Sequence, residues 1–378
     1  MIFNKGSAGL ANKLPRSKLR GILASSKSFF LAPSSIQQAG RFRRREMKNL
    51  KGFIDIFDKE LLSYLDNKIK QFVAIDARTA ILVKEIKELI LAGGKRLRPA
   101  FCYFGYLASG GQDKRTALKV SLALELGQAF ALIHDDIIDN SSLRRGQPTV
   151  FKKLGLPSAI LVGDLACTLA DEIFTGLSLS EKTILQAKHY FDLLKEEVIA
   201  GQYLDVLGAK TEKEILKILE YKTGRYTVVR PLQIGAALAL APDQIFKVFE
   251  NHGVPLGIAF QIKDDILGMF GNEKIIGKPV DSDLREGKRT LLIIKTLEKS
   301  GKDQTKKLMN LLGNQKIGRT ELDWVRKLIV ETGSLDYCQN LAQQLINQAK
   351  SAISDYPFEK EGKKFLLETA DFVLQRKF

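Results

Sequence analysis

From about residue 50 to the C-terminus, apolar side chains recur at three- and four-residue spacing. "LLSYLDNKIKQF", "ARTAILVKEIKELILAGG" and "ALKVSLALELGQAFALIHDDIID" all carry this period, which predicts amphipathic helices. Runs of alternating β-branched residues are missing, so no significant sheet is expected. Val120 to Ile138 is apolar on nearly all sides, as for a helix at the centre of a large bundle. Gly93–Gly94 reads as a helix stop, and Gly110–Gly111, Gly146–Pro148 and Gly155–Pro157 mark loops. With no fixed-period repeat and no Pro/Ser linker, the expectation is one all-α domain over residues 47–378.

Residues 1–46 break the pattern. They are rich in Ser, Lys and Arg and lack a periodic apolar stripe. The first fifty residues carry eleven Lys/Arg against the single acid Glu46. Three readings of this extension stay open. The composition fits an organelle transit peptide, implying a plastid or mitochondrion. Met47 can instead be the true start in a prokaryote, because the preceding "RRRE" is encodable by purine-rich codons resembling a ribosome-binding site; a cytoplasmic protein follows. The third reading is a functional basic tail.

The chain of 378 residues can bury a large core. Its net charge of +16 suggests nucleic acid, but +10 of this lies in the first fifty residues. The mildly basic body suits polyanionic small substrates at least as well, and no nucleic-acid partner is expected. Cys102, Cys167 and Cys338 form no paired spacing, which fits a reducing compartment and excludes a cysteine-built metal site. His134, His189 and His252 are too scattered for a zinc motif. No run of about 18 uncharged apolar residues is found, so no membrane-spanning helix is expected; Leu232 to Pro242 comes nearest and is too short.

Two acidic clusters carry the chemistry. In "IHDDIIDNSSLRRG", Asp135 and Asp139 lie one helical turn apart on one face, with Asp136 offset by about 100°. Alone, such acids repel one another. With Mg²⁺, carboxylates on one face can hold the ion while phosphate oxygens and water complete its octahedron. The competing reading is a solvated acidic helix end. "FQIKDDILG" then places Asp264 and Asp265 at what reads as the end of a second apolar helix. Two such helices facing each other would give a cavity with apolar walls and a doubly acidic rim. Cations alternate with these acids: Lys95, Arg96 and Arg98 in "GGKRLRP", then Arg144 and Arg145, Lys222 in "YKTGRY", and Lys278 and Lys288 in "GKPVDSDLREGKRT". Arginine suits bidentate phosphate contact and lysine suits point-charge neutralisation.

In these segments, and in their order from residue 93 to 288, the chain resembles the trans-isoprenyl diphosphate synthases, or polyprenyl synthetases, of the short-chain type. The resemblance implies a helical fold around a deep central cavity, a homodimer, and head-to-tail condensation of isopentenyl diphosphate with an allylic diphosphate. It implies that Asp135 and Asp139 bind Mg²⁺ from one side and Asp264 from the other, with Asp136 and Asp265 in the same metal set. Arg144, Lys222, Thr223, Gln261 and Lys278 would hold the allylic diphosphate, with Lys288 nearby. Lys95, Arg98, Gln128 and Arg145 would hold isopentenyl diphosphate.

Phe130 stands five residues before Asp135, about 7.5 Å along the helix. The resemblance gives this position the role of tunnel plug, with small Ala131 beside it; ordinary core packing is the alternative. A short-chain product is expected, C20 before C15. His134 is read as structural. Two other enzyme-like readings remain: a class I terpene cyclase, which the "DDILG" form of the second cluster disfavours, and a non-catalytic subunit of a prenyl synthase, which two intact acid clusters disfavour.

Overall fold

The computed structural model describes residues 48–271 and 281–375. Lys278 and residues 1–46 lie outside the described residues. Among the described residues the chain is helical almost throughout, with one two-residue hairpin, Leu143–Arg144 (β1) against Gln147–Pro148 (β2). The helices in order are α1 (Lys48–Ile75), α2 (Ala80–Leu91), α3 (Leu97–Ala108), α4 (Lys114–Ile138), α5 (Val150–Leu154), α6 (Leu156–Thr175), α7 (Glu181–Leu207) and α8 (Glu212–Leu219). A π-helical stretch, Glu220–Val229, runs on into α9 (Arg230–Leu238), and α10 spans Asp243–Phe270. The rest are α11 (Ser282–Arg285), α12 (Leu291–Lys299), α13 (Lys302–Leu311), α14 (Arg319–Glu331), α15 (Ser334–Ser354) and α16 (Lys360–Gln375).

The apolar run predicted for the bundle centre is α4. Asp113 caps its first turn by accepting from the backbone N–H groups of Arg115 and Thr116. Val120, Leu122, Leu124, Leu126 and Ile133 are all buried, and α4 packs against α3 and α6. By length and composition alone α4 is apolar enough to cross a bilayer. A test based on uncharged runs overlooked it. In the structure, 61% of its apolar window is buried inside the protein.

Two expectations change. Gly155 is no loop but a single-residue hinge (φ +79°) between α5 and α6, with Pro157 in the first turn of α6. Nor do Asp264 and Asp265 end their helix. α10 continues past them and past Gly268 to Phe270, and it contains Pro255.

Candidate active site

Helices α3, α4, α7, α8 and α10, the π-helical stretch and the hairpin converge on a cavity of about 600 Å³. Its wall includes Lys95 and Arg98 before and in α3, Gln128 on α4, Arg144 and Arg145 on the hairpin, and Lys222 and Thr223 on the π-helical stretch. Gln261, Asp264 and Asp265 on α10 and Lys288 also line it, whereas Asp135, Asp136 and Asp139, predicted with them, are not among its lining residues. Eleven residues spread over nearly two hundred positions thus meet around one space.

The first acids sit where the backbone disfavours them. Asp135 and Asp136 occupy the last turn of α4, and Asp139 is its C-cap. The negative end of the helix dipole lies here, so cations are favoured and carboxylates are not. The hairpin supplies one cation. Its two central residues, Arg145 (φ +54°) and Gly146 (φ +77°), both take the left-handed conformation that a tight two-residue turn requires. The turn aims two arginines in different directions. Arg144 donates to Asp136 at 2.7 Å and to Asp135 at 3.3 Å, while Arg145 donates to the Leu89 carbonyl at 2.9 Å. Lys288 reaches Asp139 at 3.4 Å. Burial pushes the carboxyls of both Asp136 and Asp139 up; Arg144 and Lys288 respectively oppose this. Burial alone would depress the Lys288 ammonium, but Asp139 and Glu286 outweigh it and hold the group above the usual lysine range.

A second group of cations is gathered by α3. Arg98 is half-buried, its Nε enclosed and lacking a hydrogen-bond partner, and its guanidinium lies 4.3 Å from the Tyr226 ring centroid. The Tyr226 hydroxyl donates to Gln128 at 2.9 Å. Burial lowers the pKa of both Arg98 and Arg145, and Arg145 is pressed further by Arg96, Arg144 and Arg98. Crowded, desolvated guanidiniums that stay protonated are a place where an incoming polyanion gains most.

The π-helical stretch carries Lys222 and Thr223. Its seat on α10 depends on two glycines: a β-carbon on Gly257 would overlap the Gly224 backbone. With the two backbones in contact, Thr223 donates to Gln261 at 3.1 Å, and Gln261 donates on to Asp265 at 2.8 Å. Lys222 pairs with Asp205 at 2.6 Å.

Asp205 is a cavity residue the sequence reading missed, and so are Glu125, Thr227 and Arg289. A signal was available for Asp205. In "GQYLD", Gln202 and Asp205 are three apart on one face of α7, and Gln202 donates to Asp135 at 3.1 Å.

Mg²⁺ is the implied ion, and the donor set suits it, being carboxylate oxygen throughout. Among the described residues no three His, Cys, Asp or Glu side chains form a ready cage. A small octahedral ion that keeps water and takes phosphate oxygens needs only one or two carboxylates. Asp135 and Asp139 at the end of α4 and Asp264 on α10 are the carboxylates that would be called on. Asp136 (2% exposed) and Asp265 (8% exposed) are committed to Arg144 and Gln261.

Phe130 and Ala131 are not among the residues bounding the cavity; Leu132 is the residue of that turn which does. Phe130 and Ala131 are half-buried against the core. The structural reading of His134 agrees with its contacts. Its ring packs edge-on to Phe130, and its Nε2 lies 3.4 Å from the Ile160 carbonyl.

Fold and cavity together define a helical protein with a cation-rich, acid-edged cleft. Residues 79–329 match the family model described as polyprenyl synthetase. The chain is 35% identical over 331 residues to the geranylgeranyl diphosphate synthase of Saccharolobus solfataricus, covering 86% of this chain and 98% of that protein. It is likewise 35% identical over 297 residues to the geranylfarnesyl diphosphate synthase of Aeropyrum pernix, covering 76% and 92%. Among solved structures it is similar to geranylgeranyl pyrophosphate synthase from Corynebacterium glutamicum, complexed with isoprenyl diphosphate and magnesium. That match has a TM-score of 0.82 at 29% identity, covering 87% of this chain and 99% of the other. The chain belongs to the polyprenyl synthetase family and has its all-α fold.

Proposed function

We propose that the protein is a Mg²⁺-dependent trans-prenyltransferase. It condenses isopentenyl diphosphate head-to-tail with dimethylallyl, geranyl or farnesyl diphosphate and releases diphosphate. Its product is C20 in preference to C15. The observation that carries this reading is one cavity with two cation sets and an acidic wall from α10. A terpene cyclase needs only one of those sets.

In this reading Arg144, Lys222, Thr223, Gln261, Lys278 and Lys288 grip the allylic diphosphate. Lys95, Arg98, Gln128 and Arg145 hold isopentenyl diphosphate. Asp135, Asp139 and Asp264 would hold Mg²⁺, which neutralises charge on the leaving diphosphate. Asp136 and Asp265 hold Arg144 and Gln261 in place. The fixed cations stabilise the electron pair that departs with the C–O bond, without solvent reorganisation. Leu132, Ile218, Leu219 and Phe260 line the wall beside them and keep water from the allylic cation. The double bond of isopentenyl diphosphate then attacks, and the freed diphosphate takes the proton.

The protein acts as a homodimer. Supporting this, α6 exposes Leu156, Ile160 and Leu161, and α7 exposes Leu185, Ile199, Tyr203 and Leu207, apolar side chains that a partner subunit would cover.

The test is incubation with labelled isopentenyl diphosphate, Mg²⁺ and allylic primers of several lengths, followed by chromatography. Label is expected in a C20 prenyl diphosphate. A cyclised hydrocarbon without label would assign the chain to the cyclases, and no incorporation with any primer would leave it a non-catalytic subunit.

A further inference from the structure

We infer that Arg285, clamped to the loop at residues 312–317, holds Lys288 where the allylic diphosphate is gripped. This deepens the proposed function and rests on it for the substrate.

A lysine ends in a point charge on a flexible four-carbon stem, so its ammonium has a defined place only if its backbone is fixed. Lys288 follows α11, a helix of a single turn. Its backbone N–H donates to the Asp283 carbonyl at 2.9 Å, and Gly287 before it takes the left-handed conformation (φ +76°). The ammonium then meets Glu286 at 2.6 Å and Asp139, at the end of α4, at 3.4 Å.

One turn of helix does not hold itself. The loop between α13 and α14 holds it. The Gly313 N–H donates to the Leu284 carbonyl at 3.0 Å, and the Gln315 Nε2 donates to the Arg285 carbonyl at 2.8 Å. Arg285 returns the contact. Its Nη1 donates to the Gln315 carbonyl, its Nη2 to the Ile317 carbonyl at 2.7 Å, and its Nε to the Asp281 carboxylate at 2.7 Å. A planar fork reaches three such acceptors at once, and an ammonium does not. Leu284 and Ile317, whose carbonyls accept these bonds, are buried. A β-carbon on Gly287 would come within 3.3 Å of the Gly313 α-carbon, so the two backbones meet at the residue before Lys288. On its other side, Arg289 donates to the Ala209 carbonyl at 3.4 Å. Asp283, Lys288, Arg289 and Thr290 line the cavity, whereas Arg285 and residues 312–317 do not. Arg285 is therefore a positioning residue, acting through the turn that carries Lys288.

Lys288→Met removes one charged hydrogen bond, and the KM for the allylic diphosphate is expected to rise about ten- to a hundredfold. Arg285→Met displaces the ammonium without removing it, so a rise of about three- to tenfold is expected. Arg285→Lys should behave like Arg285→Met, because one point charge does not span the three acceptors. In a Lys288→Met background, Arg285→Met should add less than about twofold. The KM for isopentenyl diphosphate should hold within about twofold in Arg285→Met, since Lys95, Arg98 and Arg145 sit at α3 and on the hairpin. A merely structural role would raise both KM values together.

The test uses full-length protein with Mg²⁺: steady-state kinetics with each substrate varied in turn, and calorimetric titration with inorganic diphosphate. If Lys288→Met weakens both allylic and inorganic diphosphate while Arg285→Met matches wild type, the inference is overturned and the role of Lys288 stands. If the two losses multiply in the double variant, the residues act independently and the inference is likewise overturned. If Lys288→Met changes nothing, the inference fails with the role of Lys288. A wild-type chain that binds inorganic diphosphate but incorporates no isopentenyl label would end the prenyltransferase reading, and the titrations would still decide whether Arg285 acts through Lys288. Should Arg285→Met not fold, Gln315→Ala takes its place. That side chain is exposed and its loss removes only the bond to the Arg285 carbonyl; a rise of about twofold is expected, and an unchanged KM overturns the inference.

Discussion

Arg96 donates to Glu125 across 2.6 Å, with the side chains only 4% and 6% exposed. Arg96 also bonds Asp58 on α1 at 2.8 Å, so one guanidinium ties α1, α3 and α4 together. It stands between Lys95 and Arg98 in the left-handed conformation (φ 50°), just before α3 begins. Removing one member of a buried pair strands the other, at a cost of about 3–5 kcal/mol. Arg96→Met is expected to lose stability of that order in urea unfolding and to raise KM for isopentenyl diphosphate. Adding Glu125→Met should recover much of the stability, because Glu125 is then no longer stranded without its partner. Additive losses in the double variant would show that the pair is not coupled.

The contact between Gly224 and Gly257 yields a sharper test of the π-helical stretch. In an ordinary helix interior Gly→Ala gains about 1 kcal/mol. At position 257 the new methyl meets backbone, which cannot rotate away. Gly257→Ala is expected to cost about 1–3 kcal/mol by overpacking. It should also lower kcat, because Lys222 and Thr223 ride on the displaced segment. A variant with a higher melting temperature and full activity would rule out this account of the stretch.

Under the proposed function, the acids divide into two roles. Asp139→Asn and Asp264→Asn are expected to reduce kcat by about 10²–10³, the range found when one preorganised electrostatic contact is lost. Asp136→Asn acts through Arg144 and should weaken allylic diphosphate binding more than it slows turnover. Chelation should abolish activity, and added Mg²⁺ should restore it. Activity that persists in excess chelator would remove the metal from the scheme.

Much of this was legible because hydrophobic period and charge placement are local properties. The 3.6-residue repeat marked α4, and the acids and cations of the cavity stood out as types at fixed spacing. The π-helical stretch did not. Hydropathy in "EYKTGRYTVV" is silent on hydrogen-bond register, which is tied to packing at Gly224 and Gly257. The hairpin was hidden as well, since two-residue strands show no alternation. Asp264 and Asp265 read as a helix end because the packing that carries α10 on to Phe270 is tertiary. Asp205 and Glu125 were missed for the same reason: their partners, Lys222 and Arg96, are 17 and 29 residues away.

Residues 1–46 precede the first described helix and lie outside the matched family model. Removing them is expected to leave isopentenyl incorporation and melting temperature unchanged, and to abolish any binding to DNA at low salt. Loss of turnover in the truncated chain would give the extension a part in the enzyme.

His252 predicts the response to acid. It is fully buried on α10; its Nδ1 donates to the Ala349 carbonyl at 2.9 Å, while Nε2 has no partner. Burial pushes its pKa down to about 4, from 6.5. Between those values the unfolded chain binds a proton that the folded chain refuses. Its contribution is therefore fully present above about pH 6.5, and is lost as pH falls toward 4. The integrated effect is on the order of 3 kcal/mol. His252→Gln keeps a donor for Ala349 and cannot titrate. It is expected to be less stable than wild type at pH 7, with the gap closing as pH falls to 4.5. Urea unfolding at intervals across this range measures it, and parallel curves would clear His252 of any part in acid sensitivity.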